Sequence, residues 1–330
     1  MQRRRLLQLA WVMAAAGGAS AVLWADEVLQ AEKVKDLSLV VPFPPGGGGD
    51  ILARAVVTPL AQSLNRGLVI LNRPGAGGNI GTAQVVKAQP TSGTVGYVTN
   101  GIMCVNPHLY ERKSFDPLTE LCPVAGLTTI GLVLAVSPKR CPDVKTVDDL
   151  VRLAKSRPGE TAFASAGVGT TSHLAGALFE AEAGLELNHI PHAGGAAAVN
   201  EVLAGRIPFL IDVMPNLLPH IRAGALRALA VTTEKRSSLL VDLPTMAEAG
   251  FAGATLFAWD GIAAPIGFPE REANAIAEAA RQVLETPELR SRLLRLGAEP
   301  TFCGPAAFAD FIRTEAERWK PLAERARAQR

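Results

Sequence analysis

Four times in this chain an apolar, β-rich stretch runs into a glycine loop and then into a helical pattern. The units are LVVPF–PPGGGG–DILARAVV (39–57), LVILN–RPGAGGNIG (68–81), AFAS–AGVGTTSHL (162–174) and NHIPH–AGGAAAV (188–199). Each unit ends a strand, strips side chains from the connection and aims a helix N-terminus into the space so cleared. A helix N-terminus carries unpaired backbone N–H groups and about half a unit of positive charge. Several of them facing one cleft form a site for an anionic small molecule, with no lysine or arginine required. Alternating strands and helices also imply parallel sheet covered on both faces.

The chain has 330 residues, 48% of them hydrophobic, which is enough for two α/β lobes. Only 5% are aromatic and the net charge is +2, which argues against a nucleic-acid partner. Residues 1–25 hold Arg3, Arg4 and Arg5, no acid, an apolar run and Ala-x-Ala-like sites ending at Ala21 or near Ala25. This reads as an export signal, and QRRRLLQ loosely fits the twin-arginine type. Its removal takes the net charge from +2 to −1. No later apolar stretch is long enough for a membrane span. Cys104, Cys122, Cys141 and Cys303 match no zinc spacing, and sequence cannot say whether any of them pair.

Leu52, Val56 and Leu60 follow Asp50 at helical spacing. Asp50 suits an N-cap, and Pro59 is expected to kink that helix or end it early. Residues 115–138 read as a loop and then one long strand crossing between lobes, with 255–265 as the return strand. Thr146 and Thr286 suit helix N-caps, and Gly159 and Gly297 suit helix ends. The C-terminal remainder reads as helical and as packing back on the first lobe. The expected division is a signal peptide at 1–25, lobe 1 at 26–127 plus 258–330, and lobe 2 at 128–257.

These loops, in this order, resemble the substrate-binding proteins of tripartite tricarboxylate transporters, the TctC or Bug receptor family. The matching blocks are VVPFPPGGGGD (40–50), NRPGAGGNIG (72–81), NPHLY (106–110), ASAGVGTTSHLAG (164–176), AGALRALAVT (223–232), DLPTMAEAG (242–250) and LGAEP (296–300). The resemblance spans essentially the whole mature chain. It implies a type II periplasmic-binding-protein fold, two α/β domains joined by two crossing strands, closing on a small organic acid. It also implies membrane transporter subunits as partners. The chain departs from the family pattern at His192-Ala193-Gly194, where a Tyr-Lys-Gly type is common. Thr91-Ser92-Gly93 stands for Asp-Gly-Tyr, Pro208 for a first aspartate, and Val213 for the asparagine after the second, Asp212.

Several residues are candidates for ligand binding. Gly46, Gly47 and Gly48, followed by Asp50 as a further candidate, read as a backbone cradle for a carboxylate or as a tight turn. Phe43 and Pro44 read as cleft walls or as plain packing. Gly77, Gly78 and the Asn79 side chain repeat the device. No dinucleotide fingerprint fits there, and no phosphate-binding loop occurs in the chain. Gly167, Gly169, Thr170, Thr171 and Ser172 are the second-lobe carboxylate candidates, with an N-cap as the bland alternative. His192 and Gly194 present a further helix start. Asn100 and Gly101 lie at a strand end on the hinge side. Asp212 would repel an acid directly, so it reads as a supporting group or an acceptor for an amine or hydroxyl.

Ser172-His173 invites a hydrolase reading, but adjacent helical residues point about 100° apart, and no nucleophile elbow occurs. No catalytic residue, metal or cofactor is expected. The reading that results is a monomeric periplasmic receptor. The alternatives are an exported sensor signalling to a membrane partner, or an exported α/β hydrolase.

Overall fold

The computed structural model describes residues 36–111 and 114–328. The expected signal peptide lies outside the described residues. β1 (Leu37–Val41), α1 (Gly48–Ser63), β2 (Leu68–Asn72), α2 (Asn79–Val86) and β3 (Thr94–Thr99) begin the first lobe. A π-helical turn at Gly101–Val105 and two short helices, α3 (Asn106–Leu109) and α4 (Pro117–Glu120), lead to β4 (Leu121–Ile130). The second lobe runs β5 (Leu132–Val136), α5 (Val147–Ser156), β6 (Ala162–Ser165), α6 (Thr171–Ala183) and β7 (Asn188–Pro191). It continues through α7 (Gly195–Leu203), β8 (Phe209–Val213), α8 (Met214–Arg222) and β9 (Arg227–Val231). The chain returns to the first lobe as β10 (Ala258–Pro265), α9 (Glu270–Glu285), α10 (Pro287–Leu296), β11 (Ala298–Cys303) and α11 (Pro305–Ala328). The two sheets have the orders β11-β4-β10-β3-β1-β2 and β7-β6-β8-β5-β9.

The sheets are mixed, which corrects the expectation of parallel pairing throughout. The βα units pair β2 with β1 and β1 with β3 in parallel, and likewise β7 with β6 and β6 with β8. Strands that arrive from the other lobe enter from the opposite end, so β10 pairs antiparallel with β3 and β4, and β5 with β8 and β9; β11 also pairs antiparallel with β4. The expected single strand within 115–138 is two strands in two sheets, broken at Gly131. A Cβ there would lie 2.9 Å from Met214 Cε and 3.1 Å from Thr233 Cγ2, so the chain changes sheets through a gap that holds no side chain. Thr232 ties the two crossings together. Its N–H donates to the Leu132 carbonyl at 3.0 Å, its carbonyl accepts from Leu256 N at 2.8 Å, and its hydroxyl donates to the Leu256 carbonyl at 2.8 Å.

Strand alternation decides which second-lobe residues face which layer. Phe209 and Ile211 join the core shared with α5, α6 and the first lobe, while Leu210 packs with Val199 and Val202 of α7 and Leu217 and Leu218 of α8. Asp212 falls on the α7–α8 side by the same count. Helix α5 carries a capping box between Thr146 and Asp149, and α10 starts under Thr286 and ends at Gly297, both as the sequence indicates. Two expectations fail. Helix α1 runs through Pro59 to Ser63. One missing N–H near the end costs less than the burial gained beyond it, where Leu60 is fully buried and Leu64 packs on the core. The C-terminal segment also contains a strand, β11, which pairs with the edge of β4 where the pattern reads as helical. Among the described residues no helix is long and apolar enough to cross a membrane, and the four cysteines are free.

Asp260 sits fully buried in central strand β10. It accepts from Thr128 N at 3.0 Å, from Thr128 Oγ1 at 2.8 Å and from the Tyr97 hydroxyl. Burial raises its pKa to about 6 against the pull of those three bonds. The folded chain thus holds this proton more tightly than the unfolded chain. Its stabilising contribution is full below the unfolded value near 4 and is lost as the pH rises through about 6. Asp260→Asn keeps an acceptor for Thr128 and cannot ionise. Its stability relative to the wild type is expected to improve from about pH 4 to about pH 8 by up to roughly 3 kcal/mol. Urea unfolding of both proteins at the two pH values measures this, and a pH-independent difference counts against it.

Candidate ligand-binding site

The starts of α1, α6 and α7 converge on a chamber between the sheets, with the end of β8 and the first turn of α8 beside them. The chamber holds about 80 Å³ and opens into an outer vestibule of about 400 Å³. Its apolar walls are Phe43, Leu52, Tyr97, Ile130, Val213 and Trp259, and its polar surface comes from Asn100, Thr170, Thr171, Ser172, Asp212 and Asn216. No lysine, arginine or histidine is among the residues lining it. Trp259 is held rigid because its indole N–H donates to buried Glu315 at 3.1 Å, which also accepts from Trp319 at 2.9 Å.

The first glycine loop is shaped from behind by Asp50. The helix is capped by Gly47, not by Asp50. The Asp50 carboxylate turns away from the chamber and accepts from Gly46 N at 2.9 Å, Arg54 Nε at 2.9 Å and Asn72 Nδ2 at 2.8 Å. Burial pushes its pKa up, but hydrogen bonds from Arg54, Asn72 and Gly46 outweigh burial and hold it below the ordinary value. Asp50 and Gly46 therefore shape the loop and do not line the chamber. Gly47 and Gly48 do line it.

On the opposite side, Thr170 caps α6 by accepting from His173 N at 3.4 Å, and its own hydroxyl donates to the Gly167 carbonyl at 2.7 Å. This leaves the amides of Thr171 and Ser172 in the first turn, where a helix supplies no acceptor. Ser172 Oγ accepts from Ala166 N at 3.3 Å, and His173 Nδ1 accepts from Gly169 N at 3.4 Å. The His173 ring stacks on His189 with centroids 4.2 Å apart, so it packs the underside of the loop.

Across the cleft the lobes touch directly. Gly48 N donates to Asn216 Oδ1 at 2.7 Å, Thr171 Oγ1 donates to Asn100 Oδ1 at 2.8 Å, and the Tyr110 hydroxyl donates to the Val168 carbonyl at 3.0 Å. Several glycines are where they are because nothing larger fits between the lobes. A Cβ on Gly77 would lie 2.5 Å from Val168 O, on Gly101 2.6 Å from Gly169 O, and on Gly194 2.8 Å from Pro44 Cγ. One on Gly169 would run into Asn106 Oδ1. Gly101 and Gly169 line neither chamber nor vestibule; Gly101, expected on the hinge side, and Gly169, expected in the second-lobe cradle, both sit in the lobe contact.

The remaining candidates divide by depth. Phe43, Pro44, Gly77, Asn100, Thr170, Thr171, Ser172, Gly194 and Asp212 line the chamber, while Gly78, Gly167 and His192 line only the vestibule. Asn79 does neither. Its carbonyl oxygen accepts from Asn106 Nδ2 at 2.8 Å, and it borders a separate depression with Ile80, Gln84 and Lys87. Two chamber groups stand out electrostatically. Asn100 is fully buried, and among the described residues its Nδ2 has no hydrogen-bond partner. Asp212 is buried, accepts from Val213 N and Asn216 Nδ2 at 2.8 Å each, and has its pKa raised by burial to about 6. Among the described residues no group of three or more histidines, cysteines and carboxylates is placed to hold a metal.

Asn216, Tyr97, Trp259 and Tyr110 escape the sequence reading. Asn216 has a signal that is simple in hindsight. The asparagine expected directly after Asp212 arrives one helical turn later, at a spacing that lets its amide reach the carboxylate.

The family model described as tripartite tricarboxylate transporter family receptor matches residues 52–327. Protein BugT of Bordetella pertussis is 33% identical over 320 residues, covering 97% of this chain and 96% of BugT. Rpa4515 of R. palustris, solved with adipate, has a TM-score of 0.85 at 32% identity, covering 89% of this chain and 98% of the other. MatC (Rpa3494) of Rhodopseudomonas palustris, solved with bound malate, has a TM-score of 0.82 at 26% identity, covering 88% and 100%. With two lobes closing on a helix-rimmed chamber and a match over most of its length, the chain belongs to the tripartite tricarboxylate transporter receptor family.

Proposed function

We propose that this protein is an exported, periplasmic, monomeric receptor. It captures a small organic carboxylate between its lobes and delivers it unchanged to membrane transporter subunits. The observation that carries this reading is the unpartnered side-chain amide of fully buried Asn100, which shares a chamber with the first turn of α6, where a helix supplies its amides no acceptor. Buried donors without acceptors are costly, and an anion in the chamber removes that cost. The adipate and malate bound by two similar proteins support the ligand class. The leader at 1–25 supports export. The boundary at 257/258 meets the start of β10, while that at 127/128 falls inside β4, short of the passage to β5 at Gly131.

The ligand acts by favouring the closed form, and it does so only as far as it binds that form better than the open one. The cross-lobe bond from Gly48 to Asn216 and the close approach of Gly194 to Pro44 hold the lobes in this arrangement. Ser172 and His173 are committed to the loop backbone, in keeping with binding and not covalent chemistry.

Titration of the mature chain with short organic acids is expected to raise its melting temperature on the order of 5 °C at a ligand excess of about 100 Kd. The same titration is expected to change tryptophan emission, because Trp259 forms a chamber wall. A panel of organic acids that moves neither signal would sink the receptor reading. Asn216→Ala removes the bond to Gly48 and is expected to weaken the best ligand about 10-fold, as loss of roughly 1.4 kcal/mol implies. Gly194→Ala sets a methyl against Pro44 at a backbone φ of +122°. It is expected to abolish the ligand-induced shift while the unliganded protein still melts cooperatively. Wild-type affinity in both variants would count against a closed binding state.

A further inference from the structure

The distal end of the chamber carries a second layer of chemical information, which rests on the receptor reading above. Asp212 ends β8, and the parallel pairing of β8 with β6 sets it one strand over from Ala166, where the α6 loop begins. Asp212 therefore lines the same chamber as Thr171 and Ser172, from the neighbouring strand. Its carboxylate takes two hydrogen bonds, one to each oxygen, and has capacity for at least one more. Those two bonds come from neutral groups, and no basic side chain lines the chamber to neutralise it. At neutral pH it is largely ionised, since burial raises its pKa only to about 6. A second ligand carboxylate brought here meets a like charge in a poorly solvated space. A hydroxyl or ammonium group meets an acceptor with capacity to spare.

Size narrows the class further. The chamber is small, about 80 Å³, which favours a short ligand.

We infer that Asp212 determines specificity, and that the chamber takes a short monocarboxylate bearing a hydroxyl or amino donor in preference to a dicarboxylate. One end of the ligand is read by Asn100 and the α6 amides, the other by Asp212. Asn216 links the two requirements. Its amide donates to Asp212 and its carbonyl oxygen accepts from Gly48 across the cleft, so the orientation of Asp212 and lobe closure share one side chain.

Calorimetric titration of the intact mature protein with 3-hydroxybutyrate, 4-aminobutyrate, butyrate and succinate tests this. One of the two donor-bearing monocarboxylates is expected to bind at least tenfold tighter than both butyrate and succinate. In Asp212→Asn that ligand is expected to lose at least tenfold, while succinate binds no worse than in the wild type. Should succinate or butyrate match the better donor-bearing acid in the wild type, the inference is overturned, and this comparison needs no variant to fold. Should an unchanged order of preference persist in a folded Asp212→Asn, it is also overturned. If none of the four acids, nor any wider set of carboxylates, gives heat or a melting shift, the receptor reading itself fails, which is a separate result.

Discussion

The closed arrangement depends on backbone meeting backbone across a cleft with no room for side chains. Gly77 faces the Val168 carbonyl, Gly101 the Gly169 carbonyl and Gly194 the ring of Pro44, each at a separation that a single methyl would violate. Because the lobes come this near, a helix N-terminus on one side can donate to an asparagine on the other, as Gly48 does to Asn216. The glycine loops therefore do two jobs. They expose amides to a ligand, and they set the distance at which the two halves can touch.

That contact is useful only if the lobes are individually rigid and their connection is thin. Rigidity comes from sheets whose central strands are buried from end to end, β10 above all. The connection is reduced to two crossings, at Gly131 and just before β10 at Leu256, stitched to each other through Thr232 by its hydrogen bonds with Leu132 and Leu256. A bridge so narrow confines bending to few residues, which is how hinged domains close around a ligand.

The chamber is electrostatically unusual for a site that would take an acid. Positive character comes from helix ends and amide donors, not from side chains, and the formal charge lining the chamber is the negative one of Asp212. Helix termini and neutral donors give direction as well as attraction, and they lose little when water leaves the cleft. A buried carboxylate in the same space favours ligands whose far end is not acidic. Adipate and malate, found in two similar proteins, carry two carboxylates each.

Most of the architecture was legible from local pattern. Strand–glycine–helix units, caps at Thr146 and Thr286 and the return strand at β10 all depend on neighbours a few residues away, and short-range sterics are written in short-range sequence. Errors arose where a distant partner outvoted the local preference. Pro59 stays helical because the core lies beyond it, residues 298–303 form a strand because β4 offers an edge, and Asp50 turns to Arg54 and Asn72 in place of capping. Eleven of the candidate site residues do line the chamber. Their roles were not equally readable, since a glycine that cradles a ligand and one that clears a path for the other lobe look identical in a one-dimensional chain. Which is which, and that Asn216 and Trp259 join them, depends on distances between segments more than a hundred residues apart, which only folding sets.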